Sequence, residues 1–415
     1  MVSRHCAHDA GARIGGVLGA VVKIGFVFDD TLDAPDGVQQ HITMLGREYA
    51  RRGHEVHYLV GETHEAQRDP AFAFAQIHSM ARNVKVKFNS NRMRIPLPAS
   101  RRAMRELLQR ERFDVLHVQA PYSPFMAGRL LAQARRITPL TQIFATYHIA
   151  VDSGVAMAGG MVLGRVINAR TERLIPAGHS VAVSRVAAEY ARRTAGVETR
   201  VVPNPVDVAR MKAGACGAVP RRHHVVFLGR FVERKGVGVL LDALDWGVRR
   251  GVFPADLSVA MAGKGPLLEQ CRERAAHIGV PIEFLGEIAE DAKSAFLASG
   301  QVAVFPATGA ESFGIVLLEA IASGAGVVLA GDNPGYRSTM MDNDDVLVDV
   351  TGADRAEHLA RAIARACTDD EWAQRVHRWQ HDTLLPAYDV TTVADALLAM
   401  YEDSLVARTA RIATA

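Results

Sequence analysis

The sequence predicts an α/β protein built as two doubly wound, Rossmann-like domains that face each other across a cleft. Short β-branched or aromatic runs alternate with amphipathic helical stretches along most of the chain, the pattern of parallel α/β layers. That alternation is interrupted at Pro203-Asn204-Pro205 and starts afresh near Val225. The length of 415 residues also exceeds what one ordinary core holds.

The first series opens with a strand at Lys23–Phe28 and a loop from Asp29 to Gly37. A helix follows with Val38, Ile42, Leu45 and Tyr49 on one face, and Gly53 sits where a helix-ending glycine belongs. Further strands are expected at His54–Val60, Val115–Val118, Ile143–Tyr147 and Ser180–Val183, and Val201–Pro205 reads as a linker. The second series has strands at Val225–Gly229, Leu257–Ala262, Ile282–Leu285, Val302–Phe305 and Gly326–Ala330. Its helices begin near Gly236, Pro266, Glu290 and Ser312, and a last amphipathic helix covers about Thr391 to Leu405. The expected domains are therefore 22–205 and 206–387, with 388–415 a helix and tail that return to the first domain. Residues 1–21 read as a disordered extension or as sequence upstream of a true start at Val22. Ligands of doubly wound sheets bind beyond the carboxyl ends of the strands, which places the site in the cleft.

Composition narrows the function. A net charge of +3 is too mild to imply nucleic-acid binding. Four scattered cysteines, without a CxxC or zinc spacing, read as reduced thiols. No apolar run reaches the roughly 18 residues of a membrane span, since Lys23 interrupts the nearest one. The first strand leads into Asp29-Asp30-Thr31 rather than a GxGxxG turn, which argues against a dinucleotide oxidoreductase.

The strongest constellation is the run from Glu311 to Glu319 after the strand Val302–Phe305. Ser312 to Gly314 should form a helix N-terminus, whose free N–H groups and positive dipole end suit a diphosphate. On a helix, glutamates at these two positions would lie about 12 Å apart, so one reaches a sugar while the other reaches a ribose. A capped helix bearing a solvated charge explains the pair equally well when it is taken alone. Context favours the site: Arg230 and Lys235 flank the turn after the first strand of the second domain, at the same cleft edge. Two cations there can neutralise a departing diphosphate. Gly263-Lys264-Gly265-Pro266 marks a tight turn and adds little by itself.

With these pieces assembled, the sequence resembles the retaining glycosyltransferases of family 4, which have the GT-B fold. The resemblance rests on Asp36-Gly37, Val202–Asp207, Gly229–Gly236, Gly263–Pro266 and Glu311–Glu319, and spans nearly all of the chain after residue 22. It implies a cytosolic hexosyltransferase with no tightly bound cofactor. Mg²⁺ can accompany the diphosphate, although no motif calls for it. It also implies that Arg230 and Lys235 hold the donor diphosphate beside Gly37, that Glu311 binds sugar hydroxyls, and that Glu319 binds ribose. Ile315 and Val316 would line the nucleoside end, the backbone at Phe313 and Gly314 would face the donor, and His148 would be the catalytic histidine of the first domain. Because both glutamates are occupied in binding, neither is a natural nucleophile. A front-face displacement is expected instead, in which the acceptor attacks on the side from which the nucleotide leaves.

Within family 4 the chain is most similar to the phosphatidyl-myo-inositol mannosyltransferases, through Asp36–His41, Phe88–Arg94, Tyr147-His148 and Glu311–Ala320. This likeness implies GDP-mannose as donor and a lipid or glycan acceptor, with Gln39, Asn89, Arg92 and Arg94 contacting an inositol phosphate. A guanidinium suits that phosphate because it binds phosphate oxygens bidentately. Two departures bear on the acceptor. Asp36 stands where the group has glycine, which puts a carboxylate near the diphosphate, and Ala150–Gly164 does not follow the group's pattern. A lipid acceptor would place the protein peripherally on the inner face of the cell membrane. Residues 99–113, with five arginines among Met104, Leu107 and Leu108, read either as a basic helix lying on anionic lipid or as an ordinary helix packed on the sheet. Other readings are a UDP-sugar donor with a small-molecule or polysaccharide acceptor, a sugar-nucleotide epimerase, and a non-catalytic nucleotide-sugar binder.

Overall fold

The computed structural model describes residues 21–34, 36–88, 91–97, 99–121, 126–148 and 173–414. Two parallel sheets dominate. In chain order the first region contains β1 (Lys23–Phe28), α1 (Gly37–Arg51), β2 (Glu55–Gly61), β3 (Gln76–Ala81), β4 (Asn83–Phe88), β5 (Asn91–Pro96) and α2 (Arg101–Glu111). It continues with β6 (Val115–Gln119), α3 (Met126–Ile137), β7 (Gln142–Tyr147), β8 (Ser180–Ala182), α4 (Arg185–Ala195) and β9 (Arg200–Val201). The second region runs through α5 (Val208–Gly214), β10 (Arg221–Leu228), α6 (Val237–Arg250), β11 (Ser258–Ala262), α7 (Leu268–Ala275), β12 (Ile282–Gly286) and α8 (Lys293–Ala298). It ends with β13 (Gly300–Phe305), α9 (Ile315–Ser323), β14 (Val327–Gly331), α10 (Pro334–Thr339), β15 (Leu347–Val348), α11 (Arg355–Thr368), α12 (Asp370–Trp379) and α13 (Val390–Ala413).

The first sheet has the order β3-β2-β1-β6-β7-β8-β9 and the second β12-β11-β10-β13-β14-β15. In each, the strand order reverses beside the first strand, between β1 and β6 and between β10 and β13. The crevice at such a reversal is where this architecture binds ligands. Central strands are buried on both faces, as the all-buried β6 and β14 illustrate, and β14 accordingly reads as a continuous apolar run.

Local chemistry sets the ends of α1. Asp36 caps it by accepting from Gln39 N at 2.7 Å, and Gly53 follows it with φ +88°. The Asp36 carboxylate, expected to disfavour a diphosphate, is thus engaged with a helix N–H. Ile42, Leu45 and Tyr49 point into the core with Phe26 and Tyr58.

That core is completed from the far end of the chain. Val393, Leu397, Tyr401 and Leu405 of α13 join the cluster around Phe26. Tyr401 Oη meets the His117 ring, and Ser404 Oγ donates to Gln142 Oε1 at 2.7 Å. The chain therefore crosses twice between the two sheets, and the crossings are bonded together. Val206 N donates to Tyr388 O at 2.8 Å, and Val390 N to Val206 O at 2.9 Å.

Several expectations need correction. Strands β3, β4, β5, β9 and β15 were not anticipated, and α13 extends to Ala413, eight residues past the expected end at Leu405. The region expected to be an acceptor loop is an antiparallel hairpin that pairs Lys85 with Arg94 and Lys87 with Arg92. Met104, Leu107 and Leu108 of α2 are buried against the first sheet, so this helix is the ordinary packed one and its apolar stripe is not available to lipid. Residues 1–20 and Ala150–Gly164 lie outside the described residues.

Burial holds His41, His117 and His148 of the first region neutral. His41 is pushed down to about 4, His117 to about 3, and His148 well below the ordinary histidine value. The unfolded chain binds these protons near pH 6.5, whereas the folded chain refuses them until a much lower pH. Stability should therefore be complete above pH 6.5 and be lost progressively as the pH falls toward 4. The His41 shift from 6.5 to about 4 alone corresponds to roughly 3 kcal/mol. Urea midpoints measured from pH 7 to 4 should fall steeply; a flat profile would show that these rings protonate within the fold.

Candidate functional site

The end of β10 leads into a tight turn at Glu233–Lys235, and Gly236 then starts α6. Gly236 has φ +71°, and a Cβ there would sit 1.8 Å from Pro306 O, the residue after β13. Only glycine lets the turn press so closely on the neighbouring strand end. The result places the turn's cations on Glu311: Arg234 Nη1 lies 2.5 Å and Lys235 Nζ 2.9 Å from Glu311 Oε1. Arg230 is near enough to feel both Arg234 and Glu311. Burial depresses the Lys235 ammonium below the ordinary lysine value, with Glu311 pulling the other way.

Beyond Glu311 the chain turns before it becomes helical. Gly314 adopts φ +100° and Ile315 is the first residue of α9. The expectation of a helix N-terminus at Ser312–Gly314 is thus corrected, and with it the spacing of two glutamates along one helix. Only Glu319 is on α9. The reason is local: a Cβ at Gly314 would meet the Tyr336 ring at 2.3 Å, so the left-handed glycine turns the chain around that ring. Phe313 is buried, with its ring edge-on to Tyr388 at the chain crossing, and Thr339 Oγ1 donates to its carbonyl. Val316 is half-buried against the second core.

Glu319 faces a partner that sequence reading missed. Lys293 Nζ on α8 lies 2.7 Å from Glu319 Oε1 and 2.6 Å from Glu290 Oε1. Burial opposes the Lys293 ammonium, but the two carboxylates outweigh it and raise its pKa. Arg234 was also missed as a contact, although it stands in the run that supplies Lys235. Lys293 belongs to no motif, and its pairing depends on the β12–β13 crossover.

Two cavities adjoin these residues. One of about 260 Å³ lies beside Arg230, Gly263, Lys264 and Glu287, so the Gly263–Pro266 turn does border the cleft. The other, of about 290 Å³, lies between the two sheets. It is lined by Gln39 and Arg47 of α1 and by Glu290, Ile315 and Glu319 of the second region. Gln39 and Glu319 therefore share one pocket, while Gly37 at the start of α1 is exposed.

On the facing wall, His148 directly follows β7. It is 8% exposed, with Nε2 at 2.8 Å from Gln119 Oε1 and its ring edge-on to His41 at 4.9 Å. The Gln119 oxygen can only accept, so His148 carries its proton on Nε2 when neutral. Ser184, another residue missed, ties the walls together: its Oγ caps α4 and donates to Ser312 O at 2.5 Å, next to Glu311. Arg185 adds an ion pair to Asp342 at 2.7 Å. Asn89 lies outside the described residues, and Arg92 and Arg94 fall on β5, whose backbone alone is described.

The arrangement offers clustered cations and half-buried carboxylates at one strand-order reversal. Residues 35–210 match the family described as Glycosyltransferase Family 4, and residues 222–369 match Glycosyl transferases group 1. The chain is 31% identical over 387 residues to the phosphatidyl-myo-inositol mannosyltransferase of Mycobacterium tuberculosis (strain ATCC 25618 / H37Rv), covering 92% of this chain and 97% of that protein. It is 34% identical over 203 residues to a GDP-mannose-dependent alpha-(1-6)-phosphatidylinositol monomannoside mannosyltransferase of Mycolicibacterium smegmatis, covering 45% of this chain and 52% of that one. Among solved structures, sucrose-phosphate synthase from Thermosynechococcus elongatus superposes with a TM-score of 0.65 at 17% identity, over 93% of this chain and 100% of that one, a likeness of fold alone.

Proposed function

Since the chain belongs to glycosyltransferase family 4, the retaining enzymes of GT-B fold, we propose that it moves mannose from GDP-mannose to an inositol hydroxyl of a phosphatidylinositol lipid. The donor chemistry is carried by one observation: Arg230, Arg234 and Lys235 gather around Glu311 at the strand-order reversal. Donor and acceptor identity draw on the mycobacterial relatives, whose names state GDP-mannose and phosphatidylinositol. The hairpin register supports an anionic acceptor. It sets positions 85 and 87 opposite 94 and 92, so the basic residues of the hairpin sequence fall at paired positions.

In this reading the diphosphate rests against Arg230 and Lys235, with Gly37 close by. Arg234 keeps Glu311 paired, so Lys235 can turn to the phosphate while Glu311 accepts from sugar hydroxyls. Glu319, oriented by Lys293, receives the ribose hydroxyls next to Ile315 and Val316. The acceptor oxygen forms its bond to the anomeric carbon on the face from which the diphosphate leaves. The bonding pair departs with the phosphate, and the acceptor's proton passes to a phosphate oxygen. Configuration is retained, and the charge that develops on the leaving group is met by fixed cations. Neutral His148 borders the sugar as a hydrogen-bonding wall. Mg²⁺ remains an optional companion of the diphosphate.

The test is direct. In a thermal-shift panel of nucleoside diphosphates and their sugars, GDP and GDP-mannose should give the largest rise. GDP-mannose with phosphatidylinositol vesicles should then yield free GDP and a mannosylated lipid. Turnover with UDP-sugars alone, or saturable binding without product, would overturn the assignment.

A further inference from the structure

At the end of the first sheet opposite the cleft, β2, β3 and the last turn of α2 bring together His57, His78 and Glu111. One ligand atom of each lies within 4.8 Å of the others, the sole such group of three among the described residues. His57 is fully buried. Its Nε2 lies 2.9 Å from Glu55 Oε1, and its Nδ1 lies 2.9 Å from His78 Nε2. A carboxylate can only accept, so Glu55 holds the His57 proton on Nε2 and leaves a lone pair on Nδ1 aimed at His78. A carboxylate behind a histidine is the support that metal-ligating imidazoles ordinarily have.

We propose that His57 Nδ1, His78 Nε2 and a Glu111 oxygen form a binding site for a first-row transition ion, zinc above all, with water in the fourth position. Two nitrogens and a carboxylate oxygen are a donor set zinc accepts, at about 2.0–2.2 Å from each. Tetrahedral angles at those lengths put the two nitrogens about 3.3 Å apart, so the rings need part only slightly from their present 2.9 Å. His78 would move its proton from Nε2 to Nδ1, with no net release.

Two cations now hold Glu111, Arg110 at 2.8 Å and Lys23 at 3.4 Å. Both have an alternative. Arg110 is largely exposed, and Lys23 already has its shorter contact with Glu55, at 2.8 Å. Because β3 is an edge strand and His78 is half-buried, the ion has a path from solvent. Once bound it would pin the two ends of the segment from β3 through α2, including the hairpin.

The experiment uses untagged full-length protein stripped with EDTA. Added Zn²⁺ should raise the unfolding midpoint saturably, by about 2 °C or more. Co²⁺ should give a visible absorption band that Zn²⁺ bleaches. His78→Ala and Glu111→Gln should each lose both signals, whereas His377→Ala, on the second domain, should keep them. No zinc-dependent shift in the wild type, or an equal shift in His78→Ala and Glu111→Gln, would overturn the site.

Discussion

Replacing Lys235 with alanine should lower kcat on the preferred sugar nucleotide by about a hundred- to a thousand-fold, the usual cost of removing one preorganised group that meets developing charge. The fold should survive, because Arg234 remains 2.5 Å from Glu311 and keeps that carboxylate paired. Glu311→Ala should be comparably inactive for a different reason: it leaves Arg234 and Lys235 crowded together with no carboxylate between them. If both variants turn over at near wild-type rates with unchanged unfolding midpoints, the donor site is elsewhere.

The same lysine should leave a signature in the pH profile. Burial lowers its pKa, so the alkaline limb of kcat/KM should lie below the ordinary lysine value of about 10.4. In kcat the limb should move upward, since a bound diphosphate favours the ammonium. Lys235→Arg should abolish the limb, because a guanidinium does not titrate there. A limb that persists in Lys235→Arg belongs to another group.

Ending the chain at Ala387 should have the largest effect on stability. The deletion removes Val393, Leu397, Tyr401 and Leu405, none more than 7% exposed, from the core around Phe26, Tyr49 and Tyr58. At about 1.5–3 kcal/mol for each buried side chain, the loss comes to about 6–12 kcal/mol, comparable to the whole stability of a typical domain. Limited proteolysis of the truncated protein should digest the first sheet and leave a resistant fragment beginning near Val206. A truncated protein that melts like the full chain would show that α13 is peripheral.

Strands buried on both faces were legible because their apolar runs are nearly continuous, as in β1, β13 and β14. The edge strand β3 and the hairpin β4–β5 were not, since Gln76–Ala81 and the Lys- and Arg-bearing strands mix polar and apolar residues. Glu311 and Lys235 were marked by motifs, and the structure sets them 2.9 Å apart. The start of α9 was misplaced by three residues because Gly314 yields to Tyr336, which lies 22 positions onward. Lys293 and Ser184 could not be found from sequence for the same physical reason: their partners Glu319 and Ser312 lie 26 and 128 residues away. Pairing over such distances is decided by crossover topology rather than by local pattern.

The position of α13 also sets an order of events during synthesis. A ribosome adding about 5–20 residues per second needs roughly 10–40 s to pass from Val206 to Val390. Throughout that interval the nascent first sheet carries Phe26, Tyr49 and Tyr58 without the helix that covers them. The region translated first is therefore the last to mature, and its apolar face is on offer to chaperones until the final helix clears the exit tunnel.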